Sequence, residues 1–243
     1  MRGHGQATIR PHAFALGILA EAPTPGSVKT QLTPPLTLDA AAAVAEAFLL
    51  DTLATVEHFP ARHRVILAAP ERDGVTELQR VAPRSFRVLP QRGNGPAERI
   101  FHGLEDLLAL NSEAALVIDT NTPFLPMGAI IDAFLWLTAP SAPAAGRMAI
   151  GPSEDGDYYA IGVTRAHGRL FEGITWPGEA VLEQTLARAT ELGLEVQTMP
   201  TRYDVDTLAD LQRLSQQKEH EQPLGPAVTR LLARADIAGW CGA

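Results

Sequence analysis

Apolar residues follow two alternating patterns along this chain, one typical of strands and one typical of helices. Residues 14–19, 65–69 and 114–118 are short, largely apolar runs, the pattern of a fully buried strand. Between residues 39 and 56, apolar side chains recur at helical spacing, and Thr37 or Asp39 supplies an oxygen that can cap the start of the predicted helix.

This alternation continues to the end of the chain. The further predicted strands are 86–89, 148–150, 158–163 and 194–199, and the further predicted helices are 75–81, 96–110, 127–137, 179–192, 207–214 and 226–235. Such an order predicts one α/β domain with a mostly parallel, doubly wound sheet and helices on both faces. We expect residues 13–215 to form this domain, with an N-terminal extension at 1–12 and a C-terminal helical extension at 216–243.

The composition narrows the possible partners. The chain has 243 residues with 46% hydrophobic content, enough for one sizeable core, and a net charge of -8. This acidity argues against nucleic acid or an anionic membrane as the main partner, since both require clustered Lys and Arg. No apolar run approaches the ~20 residues of a membrane span. Cys241 is the sole cysteine, so no disulfide framework can form, which fits a reducing cytoplasm.

Two interpretations of the amino terminus stay open. Arg2 and Arg10 precede a short apolar stretch at 13–20, and Ala20-Glu21-Ala22 resembles a signal-peptidase site. Alternatively, residues 14–19 are the first core strand, because a Pro/Gly-rich turn and an amphipathic helix follow in the order that an α/β unit requires.

The strongest chemical signal is the segment Asp119-Thr120-Asn121-Thr122-Pro123, which follows a predicted buried strand. Ligands of open α/β sheets bind beyond the carboxyl ends of the strands, so Asp119 and Asn121 are expected to face a ligand. A divalent cation prefers hard and charged oxygen ligands, and Asn121 offers an oxygen without the charge.

Three other segments carry candidate chemistry. Asp204-x-Asp206 follows another predicted strand and is a candidate metal position, although Asp204 or Thr207 could instead cap the next helix. The segment 22–30 is rich in Pro and Gly and could bind phosphate, unless it is a plain connection with a solvated lysine. The segment 153–157 holds three carboxylates, suited to a metal, a cationic acceptor or a general base, unless it is a polar hairpin turn.

Several long motifs occur in an order that resembles a known family. They are Pro23-x-Pro25-Gly26-x-Val28-Lys29-Thr30-x-Leu32, Ala47-Phe48-x-x-Asp51-Thr52-Leu53, Gly151-Pro152-x-Glu154-Asp155-Gly156-x-Tyr158-Tyr159-x-Ile161-Gly162, Leu170-Phe171-x-Gly173-Ile174-x-Trp176 and Asp204-Val205-Asp206-Thr207-x-x-Asp210-Leu211. From about residue 14 to residue 214, the chain resembles uncharacterised bacterial transferases with a nucleotide-diphospho-sugar transferase-like fold of glycosyltransferase-A type, which are relatives of phospholactate guanylyltransferases.

The resemblance implies a cleft for a nucleotide or nucleotide-sugar, with Mg²⁺ or Mn²⁺ and a small-molecule acceptor. The expected nucleotide-binding residues are Ala22, Pro23, Gly26, Lys29, Thr30, Gly93 and Arg99. The expected acceptor-binding residues are Asp155, Gly156, Tyr158 and Trp176, although aromatic residues of this kind are more often simply core. The expected metal ligands are Asp119, Asn121 and Asp206, and the expected catalytic residues are Lys29, Asp155 and Asp206.

This chain departs from the family pattern at four positions. Where the family usually has a lysine, an arginine, an aspartate and a glycine, this chain has Glu21, Gln31, Asn121 and Asp157 respectively. Like charges in contact in a partly dry cleft cost about 1 kcal/mol or more, so these changes weaken a triphosphate site. Arg92 and Arg99 could compensate, or could be solvated surface residues.

Two functions therefore stay open. The first is a cytoplasmic, metal-dependent transferase that moves a nucleotidyl or glycosyl group to a small acceptor. The second is a non-catalytic nucleotide-binding or scaffold protein that kept the fold after losing charges. The sequence leaves open the nucleobase, the acceptor and the oligomeric state.

Overall fold

The computed structural model describes residues 14–122, 124–217 and 223–241. Its seven strands are β1 (Phe14–Glu21), β2 (His63–Ala69), β3 (Phe86–Pro90), β4 (Ala114–Ile118), β5 (Arg147–Pro152), β6 (Tyr158–Val163) and β7 (Glu195–Thr198). Its helices are α1 (Leu38–Glu57), α2 (Asp73–Val81), α3 (Pro96–Ala109), α4 (Met127–Leu137), α5 (Val181–Glu191), α6 (Leu208–Ser215), α7 (Pro226–Leu232) and α8 (Ala235–Cys241). The predicted extension at 1–12 lies outside the described residues.

The seven strands form one sheet in the order β3-β2-β1-β4-β6-β5-β7. The strand β6 runs antiparallel to both of its neighbours, whereas the other pairings in the sheet are parallel. The carboxyl ends of β1, β2, β3, β4, β5 and β7 therefore meet the amino end of β6 at one edge of the sheet. The segment 14–21 is a central and largely buried strand, as the strand interpretation of the amino terminus expects.

Alternate side chains of the strands enter two separate cores. Phe14, Leu16 and Ile18 of β1 pack with residues of α1, α2 and α4, whereas Ala15 belongs to the core on the other face, which α3 and α5 cover. Side chains of a strand alternate between faces, so one continuously apolar run serves both layers. The predicted single-domain, mostly parallel, doubly wound sheet with helices on both faces is confirmed.

Local capping signals fix several helix starts. Thr37 accepts a hydrogen bond from the Ala40 N–H at the start of α1, and Thr207 with Asp210 forms a capping box at the start of α6. The helix α5 begins at Val181, two residues after the predicted start, and α7 ends at Leu232 rather than at 235.

A further helix, α8, was not predicted separately. Together α6, α7 and α8 pack with α1 in a third apolar cluster, so this short helix depends on tertiary burial rather than on its own pattern. The predicted domain boundary at 216 stays a prediction. Among the described residues, no helix is long and apolar enough to cross a membrane.

Candidate ligand-binding site

A cavity of about 490 Å³ opens at the edge of the sheet where the strand ends converge. It is lined by Leu19, Glu21, Ser27, Val28, Lys29, Thr30, Gln31, Ala45, Gln91, Pro96, Arg99, Ile100, Asp119, Thr120, Asn121, Asp157, Tyr158, Trp176, Pro177 and Asp206. Its position agrees with the general rule for open α/β sheets, which bind ligands beyond the carboxyl ends of their strands. A cavity of this size suits a small molecule.

Lys29 is the central basic residue of the cavity, and its side chain is only 7% exposed. Its Nζ donates to Asn121 Oδ1 at 2.7 Å, to the Val205 carbonyl oxygen at 2.7 Å and to Asp206 Oδ1 at 2.8 Å. An ammonium has three hydrogen-bond donors, so these contacts use all of them. Lys29 thus ties the loop after β1 to the end of β4 and to the segment before α6.

Three carboxylates converge beside this ion pair. Oxygen atoms of Asp155, Asp204 and Asp206 lie within 4.8 Å of one another. Asp155 follows β5, and the other two follow β7 at the same edge of the sheet. Thr122 Oγ1 donates to Asp204 Oδ1 at 2.6 Å, which fixes Asp204 against the loop after β4. Hard oxygen donors at this spacing could hold a divalent cation.

The pKa values of nearby carboxyls reflect burial and mutual repulsion. Burial raises the pKa of Asp204, and the charges of Asp155 and Asp206 raise it further. Burial also raises the pKa of Asp157 to about 7, with a further contribution from those same neighbours. Such a concentration of negative charge favours a bound cation.

Asp119 lines the cavity, as its position after β4 predicts, and it also organises the turn that follows the strand. Its Oδ1 accepts hydrogen bonds from the Asn121 and Thr122 backbone N–H groups at 3.1 and 3.3 Å, which organises the turn after β4. Burial raises the pKa of Asp119 well above its ordinary value, and the charge of Asp204 adds to the increase. Asp119 also lines the cavity, so a role as a metal ligand stays a prediction.

At the mouth of the cavity, Arg99 Nη1 lies 3.7 Å from Glu21 Oε1. Arg99 therefore partly neutralises Glu21, which stands where the resemblance implies a lysine. Arg92 instead pairs with Asp106 at 2.7 Å and does not line the cavity. Of the two proposed compensating arginines, only Arg99 faces the ligand-binding space.

Eight of the predicted site residues line the cavity: Lys29, Thr30, Arg99, Asp119, Asn121, Tyr158, Trp176 and Asp206. The predicted residues that do not line it are Ala22, Pro23, Gly26, Gly93, Asp155 and Gly156. Gly156 has a positive φ of 89°, and a Cβ there would lie 2.0 Å from the Glu179 carbonyl oxygen. Glycine is thus required there by the left-handed backbone of the turn and by the close approach of Glu179.

Gln91 is a cavity residue that the sequence prediction did not include. It directly follows β3, and its Nε2 donates to the carbonyl oxygens of Leu67 at 2.7 Å and Ala20 at 3.3 Å. Its place directly after a strand was the signal that could have identified it. Tyr158 and Trp176 form another wall, with their rings edge to face and 5.5 Å apart.

Solved structures share this architecture. A protein of Desulfovibrio desulfuricans G20 described as a candidate nucleotide-diphospho-sugar transferase has a TM-score of 0.81 and 24% identity, covering 94% of this chain and 98% of that one. An inositol-1-phosphate CTP transferase of T. maritima has a TM-score of 0.51 and 12% identity, covering 92% and 98%. A 4-diphosphocytidyl-2C-methyl-D-erythritol synthase of Anaerococcus prevotii has a TM-score of 0.52 and 11% identity, covering 82% and 93%.

These likenesses define the fold class as that of the nucleotide-diphospho-sugar transferases. The chain belongs to the DUF2064 family, described as an uncharacterized protein conserved in bacteria, which matches residues 52–178. The resemblance to a bacterial family with this fold is thereby confirmed, whereas the link to phospholactate guanylyltransferases stays a prediction. No curated protein matches the chain.

Proposed function

We propose that this protein is a metal-dependent transferase that binds a nucleotide or nucleotide-sugar and transfers a nucleotidyl or glycosyl group to a small acceptor. The observation that carries the proposal is the group of three carboxylates beside a cavity at the strand ends. The fold supports it, since structures with the same architecture include proteins named as a CTP transferase and a diphosphocytidyl-erythritol synthase.

The donor set fits Mg²⁺ or Mn²⁺, because Asp155, Asp204 and Asp206 offer hard, charged oxygens. When bound, such an ion would neutralise charge on phosphate oxygens. Asp119 and Asn121 remain proposed additional ligands, with Asn121 the weaker because it is neutral.

The chain's own residues would then position the reactants. Arg99 and the loop around Thr30 would bind phosphate, and Tyr158 and Trp176 would form a wall for the acceptor. Asp155 would orient the acceptor from beside the cavity, whereas Asp157 lines it and could receive the proton of an acceptor hydroxyl. Catalysis would depend mainly on positioning and charge neutralisation.

Calorimetric titration tests this proposal. We expect GTP, CTP, UDP-glucose or GDP-mannose to bind in the presence of Mn²⁺ and to bind much more weakly with EDTA. The variant Asp206→Asn should lose Mn²⁺-dependent binding. Asp132→Asn is a matched control, because Asp132 is exposed on α4 and does not line the cavity. Failure of all four ligands to bind with Mn²⁺ would contradict the proposal.

A specific observation favours a second candidate, a non-catalytic binding or scaffold protein. The donors of Lys29 are fully used by internal partners, and one of these is the neutral Asn121. The double variant Asn121→Asp with Gln31→Arg separates the two functions. If it gains Mn²⁺-dependent nucleotide binding that the natural protein lacks, the non-catalytic function is supported. Turnover by the natural protein would exclude it.

A further inference from the structure

The chain uses lysine very sparingly, which makes the position of Lys29 informative. Lys29 and Lys218 are its two lysines, and the other members of the 20 Lys and Arg residues are arginines. Lys29 has left-handed backbone geometry with a φ of 48°, which is uncommon for a residue with a side chain. Its compact ammonium fits a buried position with three acceptors, which a planar guanidinium would not match.

The contacts of Lys29 leave no donor for a ligand. A phosphate could bind its ammonium only after one of the three short hydrogen bonds had broken. The partner most open to exchange is Asp206, whose side chain is 35% exposed. Asp206 also belongs to the carboxylate group that could hold a divalent cation. The same carboxylate therefore serves two competing positive charges.

We propose that Lys29 and a divalent cation exchange at Asp206, so that cation binding releases the Lys29 ammonium for a ligand phosphate. This inference rests on the proposed function and adds an order of binding, with the cation first and the phosphate second. Its basis is that the ammonium donates to Asp206 at 2.8 Å, while Asp206 oxygen lies within 4.8 Å of oxygens of Asp155 and Asp204.

The direction of the exchange follows from charge. A doubly charged ion at Asp155, Asp204 and Asp206 would repel the adjacent ammonium and attract the electrons of the carboxylate that holds it. The amide of Asn121 retains Lys29 less strongly than a carboxylate would, because it carries no charge. The neutral Asn121 thus opposes release of the Lys29 ammonium less than an aspartate would.

Amine acylation of the full-length protein measures this release directly. The rate of Lys29 acetylation by an N-hydroxysuccinimide ester is followed by peptide mass spectrometry in EDTA, in MnCl₂, and in MnCl₂ with inorganic pyrophosphate, with MnCl₂ in molar excess so that free Mn²⁺ remains. Free N-acetyl-lysine amide in the same tube reports any effect of the metal on the reagent. We expect slow acetylation in EDTA, an increase of at least tenfold with MnCl₂ alone, and renewed protection with pyrophosphate.

An acetylation rate that MnCl₂ does not change would overturn the exchange, even if nucleotides bind as the proposed function expects. Conversely, an increase with MnCl₂ alone supports the exchange even if no nucleotide binds, so the two proposals can fail separately.

A second measurement uses Lys29→Met, with Lys218→Met as the matched lysine control. Removing the competing ammonium should tighten MnCl₂ binding about tenfold, measured by calorimetry without nucleotide, and should remove any metal-induced gain in pyrophosphate affinity. Unchanged or weaker MnCl₂ binding by a folded Lys29→Met protein would also count against the exchange.

Discussion

Asp51 belongs to the motif Ala47-Phe48-x-x-Asp51-Thr52-Leu53, and its replacement tests whether this motif serves the fold or the ligand site. This buried residue of α1 accepts hydrogen bonds from the backbone N–H groups of Ala227 at 2.9 Å and Val228 at 2.8 Å. Its carboxylate therefore caps the amino terminus of α7, where a negative charge is also favoured by the helix dipole. We predict that Asp51 stabilises the fold and does not bind the ligand.

The magnitude follows from the two bonds. A hydrogen bond to a charged group contributes about 1.5–3 kcal/mol, and both donors belong to residues less than 10% exposed. Allowing for relaxation, Asp51→Ala should lower the free energy of unfolding by about 3 kcal/mol. At about 2–4 °C per kcal/mol for a chain of this size, the Tm should fall by about 6–12 °C. Asp51→Asn keeps one acceptor and should lose about half as much stability.

Thermal and urea unfolding, followed by circular dichroism, measure these changes. Glu46→Gln is a matched control, because Glu46 is exposed on the same helix and its replacement should change stability by less than about 0.5 kcal/mol. Local detachment of α7 would also speed trypsin cleavage at the exposed Arg230. An Asp51→Ala protein that keeps the parental Tm and the parental cleavage rate would refute the reasoning.

Three further predictions concern close packing and charge. Gly225→Ala should destabilise the protein by about 2 kcal/mol or more in urea unfolding, because the new Cβ would lie 2.2 Å from Asp51 Cγ. Burial raises the pKa of Asp157 to about 7 in the folded protein, so above that pH the carboxylate is charged and opposes folding. This destabilisation disappears as the pH falls from 7 towards the lower pKa that Asp157 has in the unfolded chain. Asp157→Asn should therefore be more stable than the parent by about 1–2 kcal/mol at pH 8 in EDTA, and the difference should shrink by pH 5. Glu21→Gln should tighten pyrophosphate binding about three- to tenfold in calorimetry, because it removes a negative charge and frees Arg99; unchanged affinity would contradict this role for Glu21.

Much of the fold could be predicted from local patterns. The buried strand 114–118 was identified from continuous apolar residues, and its bounds match those of β4. The helix 207–214 was predicted in the same way with Thr207 as a candidate cap, and Thr207 forms a capping box with Asp210 at the start of α6. These features depend on residues that are close in the sequence, so they can be predicted from the sequence alone. The helix α8 was not recognised as separate, because its stability comes from packing on α6 and α7.

The candidate site was predictable only in part. Strand ends indicated Asp119, Asn121 and Asp206 as cavity residues, and all three line it. The positions of the strand ends in the sequence did not reveal that the carboxylates of Asp155 and Asp204 lie close to that of Asp206. It also did not reveal that β6 reverses direction, which brings the start of that strand to the edge where the parallel strands end.

The sequence by itself determined the alternation of strands and helices, the supply of acidic side chains at strand ends, and the scarcity of lysine. Tertiary structure decided how those side chains are used. Lys29 contacts Asn121 across 92 positions and Asp206 across 177, and no local pattern specifies contacts at such separations. Sheet order and loop packing bring these residues together. The contacts are then kept because a buried ammonium must satisfy all its donors within the folded chain.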